Sequence, residues 1–311
     1  MKVLVTGGAG FIGSHVVEAL HRAQYAVTII DLSSDSHRYQ AMNIPYYGID
    51  INNKEKLEKA FELEKPDVVI HLAAQVDVKQ SIIAPKDDAK TNILGTIYLL
   101  EAAKKFHVKK FIYASSAAVY GEPHYLAIDE EHPKQPLSFY GISKLTGEQY
   151  VQAFSTIHGL SYTILRYANV YGPGSSKKLN NDVINIFLSK MMNKQKPEVF
   201  GDGKQTRDFI YVKDIASATI AALYHGDNQT LNISTNHGTS INELIHSINS
   251  LLEDEVEPVY HPKREGDILD SYLDNGNAKE YLTWYPNSTL MDGLTETLSY
   301  MKQTHESNID K

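Results

Sequence analysis

The sequence predicts an α/β protein with a doubly wound parallel sheet and a second, smaller mixed α/β lobe. Three observations predict this fold class. Short, continuously apolar runs alternate with amphipathic segments through the first half of the chain. Such runs are typical of parallel strands that helices cover on both faces. A glycine-rich segment follows the first run, and a longer stretch without this alternation follows the last one.

The first half alternates predicted strands and helices. Apolar runs rich in β-branched residues, such as residues 67–72, indicate strands. Apolar residues at three- and four-residue spacing, such as Ile12, Val16 and Leu20, indicate helices. The predicted strands cover residues 3–5, 26–31, 46–50, 67–72, 109–115 and 162–166, and the predicted helices cover residues 12–20, 54–61, 91–106 and 140–154. Repeated strand–helix–strand units favour parallel pairing.

The alternation stops after Tyr171, at the loop signal Gly172-Pro173-Gly174. Helical patterns then cover residues 182–192, 215–223 and 241–252, mixed with short strands and glycine turns. We therefore divide the chain into a dinucleotide-binding domain, 1–170, and a second lobe, 171–311. Some segments of the second lobe are expected to return to the first domain. The polar residues after Met301 are expected to fray.

Composition restricts the function further. The chain has 311 residues and a net charge of −8, from 30 basic and 38 acidic residues, which disfavours general nucleic-acid binding. It has no cysteine, which excludes disulfides and thiolate chemistry. The 13 histidines lack metal-ligand spacing, so we expect no metal site. Without a long apolar run or signal-peptide features, we expect a cytoplasmic protein that does not bind membranes.

The glycine-rich segment predicts a dinucleotide site. Gly7, Gly10 and Gly13 follow a predicted strand and open a predicted helix that contains Phe11 and Ile12. Glycines there allow a tight turn and let the backbone approach a pyrophosphate at the helix N-terminus. A glycine turn that only packs the helix on the strand is the alternative. A phosphate loop of the Walker type is disfavoured because no lysine follows at the required place.

An acidic residue at the end of the second strand indicates which dinucleotide binds. Asp31 stands near the offset at which a carboxylate accepts hydrogen bonds from the adenosine ribose. It would repel a 2′-phosphate, so the sequence favours NAD over NADP. Asp50 and Ile51, after the third strand, are candidates for contact with the adenine. A solvated aspartate at a strand end is the alternative interpretation of Asp31.

Tyr140 and Lys144 form the candidate catalytic pair. They stand four residues apart in a predicted helix and so share one face. A nearby ammonium favours a phenolate, so we expect Lys144 to lower the pKa of Tyr140 towards that of a working base. Ser116 ends a predicted strand, at the sheet edge where ligands bind, and its hydroxyl can relay a proton. An exposed helical pair without a function is the alternative.

These motifs together resemble the extended short-chain dehydrogenase/reductase family, in particular its nucleotide-sugar epimerase branch with a Rossmann domain. The resemblance covers nearly the whole chain. It is carried by residues 5–14 (VTGGAGFIGS), 71–75 (HLAAQ), 114–121 (ASSAAVYG), 140–144 (YGISK), 165–173 (LRYANVYGP) and 201–211 (GDGKQTRDFIY). The motifs are specific for the family and less so for the substrate.

The resemblance implies roles for individual residues. Ser116 is implied as the hydroxyl partner, Tyr140 as the base and Lys144 as the ribose anchor. Residues implied to line the cofactor groove are Leu72, Ala73, Ala74 and Asn92. Residues implied to hold the substrate's nucleotide diphosphate are Asn169, Arg207 and Arg264, although an ion pair of Arg207 with Asp208 and a solvated Arg264 are the alternatives. The resemblance also implies a homodimer through helices near residues 95–106 and 143–157, where Leu99, Leu145 and Phe154 could equally be core.

The resemblance implies reversible 4-epimerisation of a UDP-hexose, UDP-glucose or UDP-galactose, through a 4-keto intermediate with tightly bound NAD. Ala117 and Ala118 follow Ser116 where dehydratases place acidic residues, and methyl groups transfer no protons. The alternatives are a UDP-glucuronate 4-epimerase, a nucleotide-sugar dehydratase, decarboxylase or reductase, and a non-catalytic dinucleotide sensor.

One position also bears on the sugar. In the family pattern, the residue seven after the second phosphate-binding arginine flanks the C2 substituent, and here it is Ser271. A small residue there leaves room for an N-acetyl group, so N-acetylated UDP-hexoses are candidate substrates. The alternative is that the neighbouring Tyr272 closes the pocket.

Overall fold

The computed structural model describes residues 1–33, 36–175, 182–264 and 268–309. Within these residues the strands are β1 Lys2–Thr6, β2 Ala26–Asp31, β3 Tyr46–Gly48, β4 Val68–His71, β5 Lys110–Ser116, β6 Ser161–Tyr167, β7 Asn169–Tyr171, β8 Glu198–Phe200, β9 Thr206–Arg207, β10 Phe209–Tyr211, β11 Gln229–Ile233, β12 Thr239–Ser240 and β13 Val259–His261. All six strands predicted in the first half are present.

The helices of the described residues are α1 Phe11–Arg22, α2 His37–Ala41, α3 Lys54–Glu64, α4 Val78–Ile83, α5 Pro85–Ala89, α6 Gly95–Lys105, α7 Phe139–His158, α8 Val183–Met192, α9 Val212–Ala221, α10 Ile241–Leu252, α11 Gly276–Leu282 and α12 Leu290–Ile309. A π-helical segment, Lys90–Leu94, leads into α6, and a single 3₁₀ turn, Ala117–Val119, follows β5. The sequence pattern did not reveal α2, α4, α5, α11 and α12, and the first four of these have only five to seven residues.

A seven-stranded parallel sheet forms the centre of the molecule, in the order β11-β6-β5-β4-β1-β2-β3. Val5 in β1 pairs with Ile29 in β2 on one side and with Ile70 in β4 on the other. The strand order therefore reverses at β1, and the crevice between β1 and β4 is the point where such sheets bind ligands. The predicted doubly wound fold is confirmed.

Alternating residues of each strand build two cores, one on each face of the sheet. Val3 and Val5 point to the face that α1 and α9 cover. Leu4 points to the opposite face, which packs against helices that carry Leu57, Leu99 and Val151. Because both faces are covered, the strands are apolar throughout, which is the pattern that the sequence shows.

The second lobe has its own core above the carboxyl edge of the sheet. Its helices α8, α10 and α12 bury Phe187, Leu244, Ile248 and Leu294. Three two-stranded pairs accompany them: β7 with β10 and β8 with β13 in parallel, and β9 with β12 antiparallel.

Parts of the second half of the chain return to the first domain. Strand β11 adds to the edge of the large sheet beside β6, α9 packs on α1, and α11 packs on β11. The expected fraying after Met301 is wrong for the described residues, because α12 continues to Ile309. Leu298 and Met301 pack into the second core and anchor that helix. No helix of the described ranges is long and apolar enough to cross a membrane.

Candidate active site

The glycine turn between β1 and α1 has a backbone that other residues would not tolerate. Gly7 has φ +71°, in the left-handed region that favours glycine. A Cβ at Gly13 would lie 2.0 Å from the carbonyl oxygen of Gly7. Helix α1 begins directly after the turn, so its free N–H groups face the crevice beside β1. This cradle fits the pyrophosphate of a dinucleotide.

A groove of about 750 Å³ runs from this turn along the carboxyl edge of the sheet. It brings together most of the residues that the sequence analysis assigned to the cofactor and to catalysis. They are Gly7, Gly10, Phe11, Ile12, Gly13, Asp31, Asp50, Ile51, Leu72, Ala73, Ala74, Ser116, Tyr140, Lys144 and Asn169. The groove joins the glycine turn, the ends of β2, β4 and β5, and the start of α7.

Asp31 lies at the end of β2 and lines the groove. Its Oδ2 accepts a hydrogen bond from the Ala9 amide at 2.9 Å, and its Oδ1 accepts one from the Ser33 amide at 2.9 Å. The carboxylate therefore also fixes the glycine turn to the end of β2. Asp50 is exposed and accepts hydrogen bonds from Asn52, while Ile51 is buried beneath it.

Asn92 does not line the groove, which corrects the expectation from the resemblance. Its side chain is 1% exposed and its hydrogen bonds are made inside the protein. The amide oxygen accepts from the Gln75 amide at 2.8 Å, and Nδ2 donates to the Gln75 carbonyl, to Asp88 and to Ser143 Oγ. Asn92 thus holds the segment after β4 against α7, behind the groove wall.

Ser116, Tyr140 and Lys144 meet where β5 ends and α7 begins. Ser116 and Tyr140 line the same groove, where the Ser116 hydroxyl acts to lower the pKa of Tyr140. Ser138 caps α7 by accepting from the Gly141 amide at 3.1 Å, which sets the helix start so that Tyr140 faces the groove. Lys144, one turn later, donates from Nζ to the Ala114 carbonyl at 2.8 Å. The predicted hydroxyl, phenol and ammonium are therefore brought together.

The expected lowering of the Tyr140 pKa by Lys144 is not found. Burial raises the pKa of Tyr140 to about 12, against a lowering by the Ser116 hydroxyl. Burial also lowers the pKa of Lys144 to about 8, although the Asp88 and Glu148 carboxylates favour the ammonium. The reason is geometric: Nζ is directed at a backbone carbonyl and lies 6.0 Å from the centroid of the phenol ring.

A second cavity, of about 500 Å³, lies in the second lobe and shares Asn169 with the groove. Arg207 and Arg264 both line it. The Arg264 guanidinium stacks on the Phe200 ring, 3.5 Å from its centroid, although Arg264 itself is exposed, so the solvated alternative stays open. Sequence reasoning missed Phe200, although its position at the end of a strand before Gly201 was a signal.

Backbone carbonyl groups hold the side chain of Arg207 in place. Its guanidinium donates to the carbonyls of Thr206, Ile268 and Leu269. The Asp208 carboxylate instead accepts from Thr235 and from the Leu273 amide, and burial raises the pKa of Asp208 to about 6. Asp208 thus directs its carboxylate at Thr235 and Leu273, and Arg207 lines the second cavity.

Ser271 is half-buried and does not line either cavity. Backbone hydrogen bonds fix its segment, because the Thr206 amide donates to the Leu269 carbonyl and the Ile128 amide donates to the Tyr272 carbonyl. The Tyr272 ring lies against Gly238, and Tyr272 lines neither of the two cavities. The structure thus gives no contact that would make Ser271 a wall of the sugar pocket.

Comparison with known proteins identifies the family. A model of the NAD-dependent epimerase/dehydratase family matches residues 3–234. The chain belongs to this family. The UDP-glucose 4-epimerase of Mycolicibacterium smegmatis is 36% identical over 310 residues, which cover 97% of this chain and 99% of that protein. The resemblance inferred from the motifs is confirmed.

Solved structures of the epimerases agree with this membership. A UDP-glucose 4-epimerase with UDP-glucose from Thermotoga maritima matches with a TM-score of 0.94 and 42% identity, over 98% of this chain and 100% of that chain. A UDP-N-acetylglucosamine 4-epimerase from Methanobrevibacter ruminantium, in complex with UDP-N-acetylmuramic acid, matches with a TM-score of 0.92 and 35% identity, over 97% of this chain and 98% of that chain.

The site of this protein fits NAD, the cofactor of the family. The glycine cradle, the carboxylate at the end of β2 and the groove between them fit NAD. No group of histidine, aspartate and glutamate residues in the described part of the chain could hold a metal ion.

Proposed function

We propose that this protein is a UDP-hexose 4-epimerase that works through a 4-keto sugar with tightly bound NAD. One observation carries the proposal. The hydroxyl pair of Ser116 and Tyr140 lies in the same groove as the glycine cradle, and that groove continues past Asn169 to the cavity of Arg207 and Arg264. A dinucleotide and a sugar nucleotide can therefore meet at Tyr140.

The residues of the site have separate tasks in this reaction. NAD, when bound, supplies a reversible acceptor for the hydride of the sugar C4. Tyr140 takes the proton of the 4-hydroxyl, and the Ser116 hydroxyl, which acts to lower the pKa of Tyr140, stabilises the phenolate. Lys144 adds positive charge and an N–H donor towards the cofactor ribose. The same groups return the proton when the ketone is reduced on its other face.

The surroundings of Ser116 favour epimerisation over elimination of water. Ala117 and Ala118 form the 3₁₀ turn directly after Ser116. The Ala118 amide donates to Ser116 Oγ at 3.2 Å and so fixes the serine. Methyl side chains at both positions offer no acid or base for elimination, which is the reason to prefer a 4-epimerase to a dehydratase.

The two arginines bind the substrate diphosphate in this proposal. Guanidinium groups suit phosphate oxygens because they offer several parallel donors. Arg207 lies in strand β9 and Arg264 in the loop after β13, and both line the cavity. UDP-glucose and UDP-galactose are the preferred pair, and the acceptance of N-acetylated forms stays a prediction.

A panel of nucleotide sugars tests the function. The purified protein is incubated with UDP-glucose, UDP-galactose, UDP-N-acetylglucosamine and UDP-glucuronate, and the products are separated and weighed by mass spectrometry. The proposal expects an isomer of unchanged mass from UDP-glucose and UDP-galactose. Loss of water or of carbon dioxide would indicate the dehydratase or decarboxylase alternative, and no turnover of any sugar would indicate a sensor.

We also propose that the protein forms a homodimer through α6 and α7. Leu99 is fully buried and belongs to the core, so it is not an interface residue. The exposed face of α7 carries Ile142, Tyr150 and Ile157, of which Ile157 is 71% exposed. An apolar stripe on a long helix is typical of an interface. Ile157→Glu should convert the dimer to a monomer, which light scattering measures. The cytoplasmic location of the protein stays a separate prediction.

A further inference from the structure

A buried carboxylate lies behind the wall of the cofactor groove. Asp88 stands on α5 and is 1% exposed. Its Oδ1 accepts hydrogen bonds from Gln75 Nε2 at 2.9 Å and from Asn92 Nδ2 at 3.1 Å. Its Oδ2 has no hydrogen-bond partner among the described residues. A buried oxygen without a partner destabilises the fold, so its presence needs a physical reason.

Hydrogen bonding does not explain why this position carries a charge. Both donors, Gln75 and Asn92, reach the same oxygen of Asp88. The amide oxygen of an asparagine would accept these two bonds equally well. Burying a carboxylate in place of an amide is unfavourable unless a positive charge compensates it.

Helix α5 packs against α7, the helix that carries the buried Lys144. Lys144 is 4% exposed, and Nζ donates to the Ala114 carbonyl. No carboxylate of the described residues lies within 4.0 Å of Nζ. Among the charges that favour the ammonium against burial, Asp88 contributes most and Glu148 second.

The other titratable groups around Lys144 do not replace Asp88. Glu148 on α7 accepts hydrogen bonds from Arg166 on β6, at 2.9 and 2.7 Å, so its charge is already paired. Burial raises the pKa of Tyr113 on β5 and lowers that of His71 on β4 to about 3, which leaves both uncharged. Tyr140 is the remaining group, and its pKa is raised in part by the charge of Asp88.

We propose that Asp88 is a positioning residue of the active site, whose carboxylate supplies the counter-charge that keeps Lys144 an ammonium beside Tyr140. The inference rests on the proposed function, in which Tyr140 and Lys144 act on substrate and cofactor. The hydrogen bonds of Oδ1 place this charge, because Asn92 also binds Ser143, the residue before Lys144 on α7. One network therefore fixes the groove wall and orients the charge.

Removal of the charge has a definite direction for both groups. Without Asp88 the ammonium of Lys144 is less favoured, so Lys144 loses its proton at lower pH. The phenolate of Tyr140 is more favoured, so Tyr140 also loses its proton at lower pH. The turnover needs the phenolate and the ammonium together, and both limbs of its pH profile therefore move to lower pH.

Asp88→Asn tests the proposal, because it keeps both hydrogen bonds of Oδ1 and removes only the charge. Asp87→Asn is the matched control, since Asp87 is the exposed neighbour on the same helix. We expect both limbs of the kcat–pH profile with UDP-galactose to shift down by about one pH unit in Asp88→Asn, the lower end of the effect of a close charge. Asp87→Asn should leave them in place. A lower maximal kcat in Asp88→Asn, with both limbs of the profile at their wild-type pH, would mean that Asp88 has only a structural role and would overturn the proposal.

A readout without turnover separates this inference from the proposed function. The ¹³Cε and ¹⁵Nζ signals of Lys144, assigned with Lys144→Met, are titrated by NMR in wild type, Asp88→Asn and a second neutral variant, Asp88→Ser. Both neutral variants should titrate at lower pH than wild type. Unchanged titration in both overturns the role of Asp88. If Tyr140→Phe turned over UDP-galactose at the wild-type rate, the proposed function would be wrong. The NMR titration of Lys144 would still test the role of Asp88.

Discussion

Lys144 and Tyr140 lie one turn apart on α7, with the ammonium nitrogen 6.0 Å from the centroid of the phenol ring. The nitrogen donates to the Ala114 carbonyl at the end of β5, so the contact with Tyr140 is electrostatic and not a hydrogen bond. Ser116, two residues after Ala114, is the group that acts to lower the pKa of the phenol. The end of strand β5 thus positions both Lys144 and Ser116 near Tyr140, and the first test concerns that phenol.

Tyr140→Phe should abolish most of the turnover while the protein still folds and binds NAD. The variant removes the proton acceptor but keeps the ring that fills the site, so a loss of roughly 10²–10⁴-fold in kcat is expected. Steady-state epimerisation of UDP-galactose measures it, with bound NAD quantified in the same sample. Tyr150→Phe, an exposed tyrosine on the same helix, is the control and should be unchanged. Turnover near wild type in Tyr140→Phe would refute the assignment of the base.

Asp31 should make the protein select NAD over NADP. The carboxylate lines the groove at the end of β2 and repels a 2′-phosphate. We expect only NAD to be released from the denatured protein, and Asp31→Ser should raise the affinity ratio of NADP to NAD by at least about tenfold. Calorimetric titration of the apoprotein with each dinucleotide measures this ratio. Asp50→Ser, at the same groove, should change it less, and an NADP preference in wild type would disprove the assignment.

His71 should make the folded protein less stable as the pH falls. Burial lowers the pKa of His71 to about 3, and the ring shares hydrogen bonds with Thr6 and Thr96. Below pH 6.5 the unfolded chain binds a proton that the folded state does not, so stability is lost from about pH 6.5 down to pH 3. Between pH 7 and pH 5 this costs about 2 kcal/mol.

Urea unfolding at pH 7 and pH 5 measures that loss. His71→Gln should be less stable than wild type at pH 7, but it should lose about 2 kcal/mol less than wild type between the two pH values. His246→Gln, an exposed histidine on α10, should keep the wild-type slope. An identical slope in His71→Gln and wild type would show that His71 is not the group that titrates.

Ser271→Tyr tests whether Ser271 controls acceptance of an N-acetyl group. If Ser271 flanks the C2 substituent, the added ring fills that space and lowers kcat/KM for UDP-N-acetylglucosamine at least about tenfold relative to UDP-glucose. Both values are measured for wild type and variant. An unchanged ratio would agree with the position of Ser271 outside both cavities. Residues that line the cavities would then control whether the N-acetyl group is accepted.

The sequence by itself determined the architecture and the reactive groups. The glycine turn, Asp31, Ser116, Tyr140 and Lys144 were predicted correctly to share one sheet edge, because strand ends of a parallel sheet meet there. Local patterns sufficed for this, since apolar periodicity reports on burial and glycine spacing reports on the backbone turn. The family followed from the same motifs.

Only the tertiary structure decided how these groups are charged and which neighbours act on them. The pKa of Tyr140 depends on burial by several elements and on Asp88, more than fifty positions before it in the chain. Asn92 turned away from the groove because Gln75 and Ser143 satisfy its amide, and Leu99 entered the core because α6 packs on the sheet. Desolvation and side-chain partners arise from contacts between distant segments, and no local pattern contains them.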